Sequence, residues 1–206
     1  ASLGSKVLQI RSVEFAGKYK VKLRVLSSFQ DEGDGTLITF EENNAMEQAV
    51  ISGIAFNRDE AKITVVGVPD QPGIAYQILG PVADANIDVD MIVQNVGSAN
   101  MTDFTFTVHR NDFAKALDIV KATATAIGAR EVTGDDKIAK VSIVGVGMRS
   151  HVGIARKMFE TLSKENINLQ MISTSEIKIS VVVEDKYMEL AVRALHQAFE
   201  LDKATA

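Results

Sequence analysis

The sequence predicts an α+β fold of two βαββαβ units, and three observations carry that expectation. A short apolar segment occurs twice: Lys62-Ile63-Thr64-Val65-Val66-Gly67-Val68 reads like Lys140-Val141-Ser142-Ile143-Val144-Gly145-Val146. Behind it, Gly73-Ile74-Ala75 recurs as Gly153-Ile154-Ala155, Asn86-Ile87 as Asn166-Ile167, and Met91-Ile92 as Met171-Ile172. These matches keep one offset of about 80 residues, the signature of an internal repeat. Inside each copy the hydrophobic pattern switches between strand and helix periods.

Each copy opens on a strand, since both repeated runs are β-branched, apolar and closed by a glycine-containing loop. Helices follow, because Ile74, Ile78, Leu79, Val82 and Ala83, and likewise Ile154, Met158, Phe159 and Leu162, fall on one helical face. Asn86 and Asn166 stand at the expected helix ends, where asparagine tolerates the left-handed backbone. Strands are expected from Asp88 to Gln94 and Asn168 to Thr174, then from Asp103 to Val108 and Ile177 to Val183. Second helices are expected from Asp112 to Ile127 and from Lys186 to Phe199. The first copy finishes on Arg130-Glu131-Val132, whereas no strand pattern follows Phe199 in the second. An apolar run, Ala49-Val50-Ile51-Ser52-Gly53-Ile54-Ala55, precedes the first copy without a place in it. We expect this run to complete the second sheet, which makes the first unit an insertion in the second. The second copy also has a longer loop, Gly147-Met148-Arg149-Ser150-His151-Val152.

The 206 residues suffice for two small domains, and 46% hydrophobic with 24% charged residues is an ordinary globular composition. No run of about 20 apolar residues spans a bilayer, and no signal peptide opens the chain. With no cysteine, disulfides and thiolate metal sites are excluded, and a cytoplasmic location fits. A net charge of −5 offers no broad footprint for nucleic acid.

Asp70-Gln71-Pro72-Gly73-Ile74-Ala75 is the strongest candidate site. A turn entering a helix presents unpaired N–H groups and a positive dipole end, which suit an α-carboxylate. Asp70 could receive the ligand's ammonium, while the small Gly73 and Ala75 allow close approach. A plain helix start, with Asp70 as cap and Pro72 in the first turn, explains the same residues. Asp88, Asp90 and Gln94 stand at period-two spacing and should share one strand face, either as ligand contacts or as ordinary outward polar positions. Ser175-Glu176 reads locally as a tight turn between strands. Gly145-Val146-Gly147 fails as a dinucleotide fingerprint because Ser150 replaces its third glycine. His109, His151 and His196 lack metal-ligand spacing. Phe104 and Phe106 are weak candidates for the stacking aromatics of an RNA-binding βαββαβ sheet, and the second copy has no counterpart.

Four segments carry a family resemblance: Val68 to Gly73, Ile87 to Asn95, Val144 to His151, and Asn168 to Ser180. They resemble the ACT domain, an amino-acid-binding module, as paired in the regulatory half of bacterial aspartate kinases (aspartokinases) sensitive to lysine and threonine. Gly4 to Glu14, Leu26 to Phe29 and Gly35 to Ile38 are similar to the trailing edge of that family's kinase domain. The resemblance implies two ferredoxin-like βαββαβ ACT domains, the first inserted in the second. It divides the chain into a kinase-domain edge (1–45), a strand completing the second ACT domain (46–60), the first ACT domain (61–134) and the second (135–206).

For the site, the resemblance implies effector contacts from Asp70 through Ala75, from Asp88, Val89, Asp90 and Gln94, and from Ile154, Ala155, Asn168, Leu169, Ser175 and Glu176. Gln94 would bond the ligand, and the acidic pair would favour lysine. Ala155 stands where some relatives carry threonine, and Val152 where a proline is common. Threonine and lysine are the implied effectors, bound between ACT units of two chains, with the kinase domain as the controlled partner. Membrane and nucleic-acid partners are not expected. ATP and magnesium belong to the whole enzyme. Its lysine-bearing phosphate motif is not found here, so neither a cofactor nor catalysis is expected of this chain alone. A start at Ala1-Ser2-Leu3 without methionine suggests a piece of a longer protein; a regulatory subunit from an internal start would begin near Met46. The rival reading is a ligand-free ACT scaffold that serves dimerisation only.

Overall fold

The computed structural model describes residues 7–29, 33–39, 51–97, 100–145, 148 and 153–202. The chain separates into two compact units, 1–48 and 49–206. In the smaller unit, helix α1 (Ile10–Lys18) precedes two short antiparallel strands, β1 (Leu23–Val25) and β2 (Thr36–Ile38), paired from Leu23–Ile38 to Val25–Thr36.

Among the described residues of the larger unit, the strands and α-helices run in the order β3 (Ile51–Pro69), α2 (Ile74–Asp84), β4 (Val89–Val96), β5 (Met101–His109), α3 (Phe113–Ile127), β6 (Glu131–Gly145), α4 (Ile154–Lys164), β7 (Met171–Thr174), β8 (Lys178–Glu184) and α5 (Met188–Ala198). They build one antiparallel six-stranded sheet of order β4-β5-β3-β6-β8-β7. The helix starts and ends follow local chemistry. Asn86 and Asn166 take left-handed φ values of 58° and 57° directly after α2 and α4, a conformation their short polar side chains tolerate. Gly128, at φ 74°, ends α3 in the same way.

The two βαββαβ patterns are both present, but they share their longest strands. The C-terminal half of β3 pairs with β5 and with the start of β6, as in Val65 opposite Phe104 and Val132. Its N-terminal half, Ile51 to Asn57, lies antiparallel to Gly145 to Lys140 and so belongs to the sheet of the second unit. Where the sequence suggests four separate strands, there are two continuous ones of 19 and 15 residues. Register shifts between Asn57 and Lys62 mark the passage from one unit to the other. Bulges there bend the strands and turn their faces.

Helices cover one face. Ile63, Val65, Phe104 and Phe106 pack against Ile78, Val82, Ala116 and Val120 in the first unit. Val141, Ile143, Val181 and Val183 pack against Met158, Leu162, Met188 and Leu195 in the second. Each fully buried side chain of this size contributes about 1.5–3 kcal/mol. Met91, Ile138, Met171 and Val182 form a separate cluster on the helix-free face. Met91 and Met171 belong to the opposite outer strands, so the twisted sheet curls enough to bring residues of both into one cluster on that face.

Candidate functional site

The turn after β3 is held by its own backbone. Asp70 N–H donates to Asn100 O at 2.8 Å, Gln71 N–H to Pro69 O at 3.1 Å, and Ile74 N–H to Gln71 O at 3.3 Å. Gly73, at φ 94° and ψ −7°, is the N-cap of α2, and no side chain caps the helix. The expectation of an Asp70 cap with Pro72 in the first turn is therefore corrected: both precede the cap and are exposed. Ile74 N–H is thus taken up within the turn, and it is the next N–H groups of the first turn that have no acceptor inside the helix, at the positive end of its dipole. The side chain of Ile74 is 2% exposed and belongs to the core, against which the half-buried Ala75 also packs. The second unit repeats the arrangement at Gly153, with φ 107°, ψ −17° and again no capping side chain.

Asp88, Asp90 and Gln94 do not share a face, contrary to the period-two reading. The register of β4 against β5 shifts between Val89, opposite Val108, and Ile92, opposite Phe106. Two residues, Asp90 and Met91, occupy the interval where regular pairing on one face allows one. Gln94 lies opposite the core residue Phe104, on the helix side. The carboxylate of Asp90 instead meets the ammonium of Lys140. Lys140 lies opposite Val182, on the helix-free face. Gln94 lies toward the end of β4 nearest the Asp70–Ala75 turn, whereas Val89, Asp88 and Asp90 lie at the end where α2 finishes.

Two residues outside the expected set complete this cluster. Glu60, in β3, accepts from Lys140 Nζ at 3.0 Å and from Asn57 Nδ2 at 2.9 Å. Glu60 and Lys140 side chains are 5% and 10% exposed, against 43% for Asp90. The repeat itself held the signal, because Lys140 matches Lys62 and Asp90 matches Gln170. Lys62 Nζ donates to Gln170 Oε1 at 2.5 Å. Each unit's first-strand lysine thus reaches the same position of the other unit, and only one of the two acceptors carries charge.

In the second unit the candidates also divide between two ends. Ile154 packs in the core and Ala155 against it, at the start of α4. Ser175 and Glu176 form the β7–β8 turn, with Ser175 N–H donating to Lys178 O at 2.8 Å, as the local reading expects. Met148 N–H donates to Glu176 O at 3.1 Å. Val152 and most of the preceding loop, including His151, lie outside the described residues. Asn168 and Leu169 line a cavity of about 360 Å³ with Phe159 and Ser163, near the end of α4. A larger cavity, about 650 Å³, lies between Phe56 of β3 and Met188 and Val192 of α5, away from every expected site residue. Phe104 and Phe106 are 1% and 0% exposed, so they offer no stacking surface. Among the described residues no group of three or more His, Asp or Glu side chains could hold a metal ion. Among the same residues, no helix is long and apolar enough to cross a membrane.

The sequence profile of the ACT domain matches residues 62–125, and a second ACT profile matches 141–199. A crystal structure of aspartokinase α and β subunits is 59% identical, with TM-score 0.69, over 73% of this chain and 99% of that one. The chain belongs to the aspartokinase family. The ligand-free regulatory subunit of Thermus thermophilus aspartate kinase is similar over 72% of this chain and 98% of that one, at 41% identity and TM-score 0.69. An aspartokinase of Pseudomonas aeruginosa is 73% identical over 203 residues, 98% of this chain and 49% of the relative. The chain thus spans about half the length of the curated aspartokinases it matches, and that half is the region with two ACT domains.

Proposed function

We propose that this chain is the amino-acid sensor of an aspartokinase, binding threonine, lysine or both for feedback inhibition of aspartate phosphorylation. The observation that carries this reading is the repeated helix start at Gly73 and Gly153, left-handed, without a capping side chain, and preceded in the first unit by an exposed turn. Such a start offers backbone donors to an α-carboxylate.

The effector would sit between chains. Strands β4 and β7 are the two outer strands of the sheet, and each exposes an isoleucine, Ile92 at 52% and Ile172 at 46%. Pairing the first unit of one chain with the second of another would cover both edges at once, and a symmetric dimer satisfies that requirement. Ligand bound there biases the whole enzyme between an active and an inactive arrangement only as far as it prefers one of them. The kinase domain, ATP and magnesium belong to the remainder of the enzyme, and the sensor works in the cytoplasm with the pathway it controls.

Calorimetric titration of the chain with threonine and with lysine tests the reading. Saturable heat from at least one is expected; heat from neither refutes sensing and leaves dimerisation as the role of the ACT pair. ATP turnover by this chain would overturn its assignment as a sensor without catalysis.

A further inference from the structure

We propose that the cavity between β3 and α5 is a binding site for an aromatic carboxylate, with the ligand's ring against Phe56 and its carboxylate on Arg193. This site is separate from the helix starts at Gly73 and Gly153, and it does not depend on amino-acid sensing there.

The repeat shows what the cavity would hold. Gly134 of β6 lies opposite Ile63, and Phe56 of β3 lies opposite Val141, so the two positions correspond in the two units. A three-residue turn leads into each following helix, which makes Phe113 of α3 the counterpart of Met188 of α5, and Leu117 that of Val192. In the first unit the Phe113 ring lies directly on Gly134. A Cβ added to that glycine would meet Phe113 Cζ at 2.7 Å and Leu117 Cδ1 at 3.4 Å. The second unit carries its aromatic ring on the strand instead, and its helix supplies the smaller Val192 and a Met188 turned into the core. Phe56 is left 45% exposed at the wall of an open space of about 650 Å³. An aromatic ring thus closes this place in one unit, and in the other the space has the size of a small-ligand site.

The rim selects the charge. Arg58 is engaged, donating to Glu189 Oε1 at 2.5 Å and to Met188 Sδ at 3.4 Å. Arg193 lies one turn further along α5 on the same wall and has no ion-pair partner among the described residues. Its planar guanidinium matches the two oxygens of a carboxylate, and His196 beside it adds a ring donor. Asp202, past the end of α5, is the opposing charge on the rim, so a single carboxylate seated at Arg193 is the match. The counterpart of Arg193 in α3 is Asp118, which makes the cation a property of this unit and not of the repeat. Phe56 also stands just before the register shifts between Asn57 and Lys62, where β3 passes from one unit to the other. A ligand that holds α5 to Phe56 therefore braces that passage and stabilises the folded chain by mass action.

The test is an amide NMR titration of the 206-residue chain with phenylpropanoate and, separately, with phenylpropanol, its uncharged analogue. Saturable shifts at Phe56 and along α5 are expected with the acid, at a Kd on the order of 1 mM for so small a ligand. The alcohol should bind roughly fivefold more weakly, as for a charge pair at an exposed rim. Arg193→Met should lower the acid to the affinity of the alcohol and leave the alcohol unchanged. Phe56→Gly/Met188→Phe transplants the packing of the first unit and should abolish binding of both compounds, with thermal unfolding to verify that the variant folds. The proposal is overturned by an absence of saturable shifts, by shifts confined to other elements, or by equal affinity for acid and alcohol. Undiminished binding by the folded double variant also overturns it. Should that variant not fold, Arg193→Met decides: acid affinity that it leaves unchanged removes the assignment.

Discussion

At the scale of single residues, the site depends on backbone conformation more than on side-chain identity. Gly73 starts α2 at φ 94°, and the nearest atom to an added Cβ would be Gln77 Nε2 at 4.0 Å. Space is therefore available, and the constraint is conformational. Gly73→Ala should lower stability by about 1–2 kcal/mol, read from urea denaturation, because an L-residue resists the left-handed region. The same substitution should weaken the proposed effector binding by placing a methyl group beside the first turn of α2. Full stability in the variant would show that the turn relaxes without Gly73. Asn86 and Asn166 show how a residue type can announce its backbone: both were expected at helix ends, and both are left-handed there. Asp90 shows the opposite case. Its type suggested a free acid on a strand face, but its carboxylate is already engaged by a lysine 50 positions away.

At the scale of elements, strand periodicity is reliable only as long as pairing stays regular. The helices and the strands β4, β5, β7 and β8 stand within a few residues of their expected limits, because each rests on a local hydrophobic period and a local stop signal. Which face a residue occupies is a different matter. The bulge between Val89 and Ile92 places Asp90 and Gln94 on opposite faces of one strand. A one-residue irregularity reverses every later side chain, and the local sequence carries little trace of it. The outer strands also bear on the proposed association between chains. Ile92→Lys places a charge on the exposed edge of β4 and should weaken self-association by about 1–2 kcal/mol, measured by sedimentation over a concentration series. Because Ile92 is 52% exposed, the folding stability should change little. Association that stays intact would place the dimer contact elsewhere than β4.

The whole molecule is governed by two strands that belong to both units. Ile51 and Ile54 pack on the core of the second unit, although the chain then passes through the entire first unit before that core is built. A fragment of residues 135–206 therefore lacks a strand of its own sheet and should fail to fold, giving the circular dichroism of an unfolded chain. The segment 49–206 should instead unfold in one cooperative transition, since β3 and β6 carry any disruption from one unit into the other. Two separated transitions would show that the bulges between Asn57 and Lys62 uncouple the halves. The same continuity places Lys140 and Glu60 at the junction, where an event on β4 can be felt by the second unit.

The repeat, the order of its elements, the missing last strand of the second copy and the asparagine-ended helices were all legible in the sequence. Each depends on local period, composition or backbone preference, which a linear chain displays directly. Only the folded chain decided that four expected strands merge into two, that Asp90 and Gln94 diverge, and that Lys140 holds Asp90. Those outcomes depend on register and on the curl of the sheet, which bring together side chains 50 or more positions apart. Long-range contacts of this kind are selected by the packing of the whole sheet, so no segment read alone contains them.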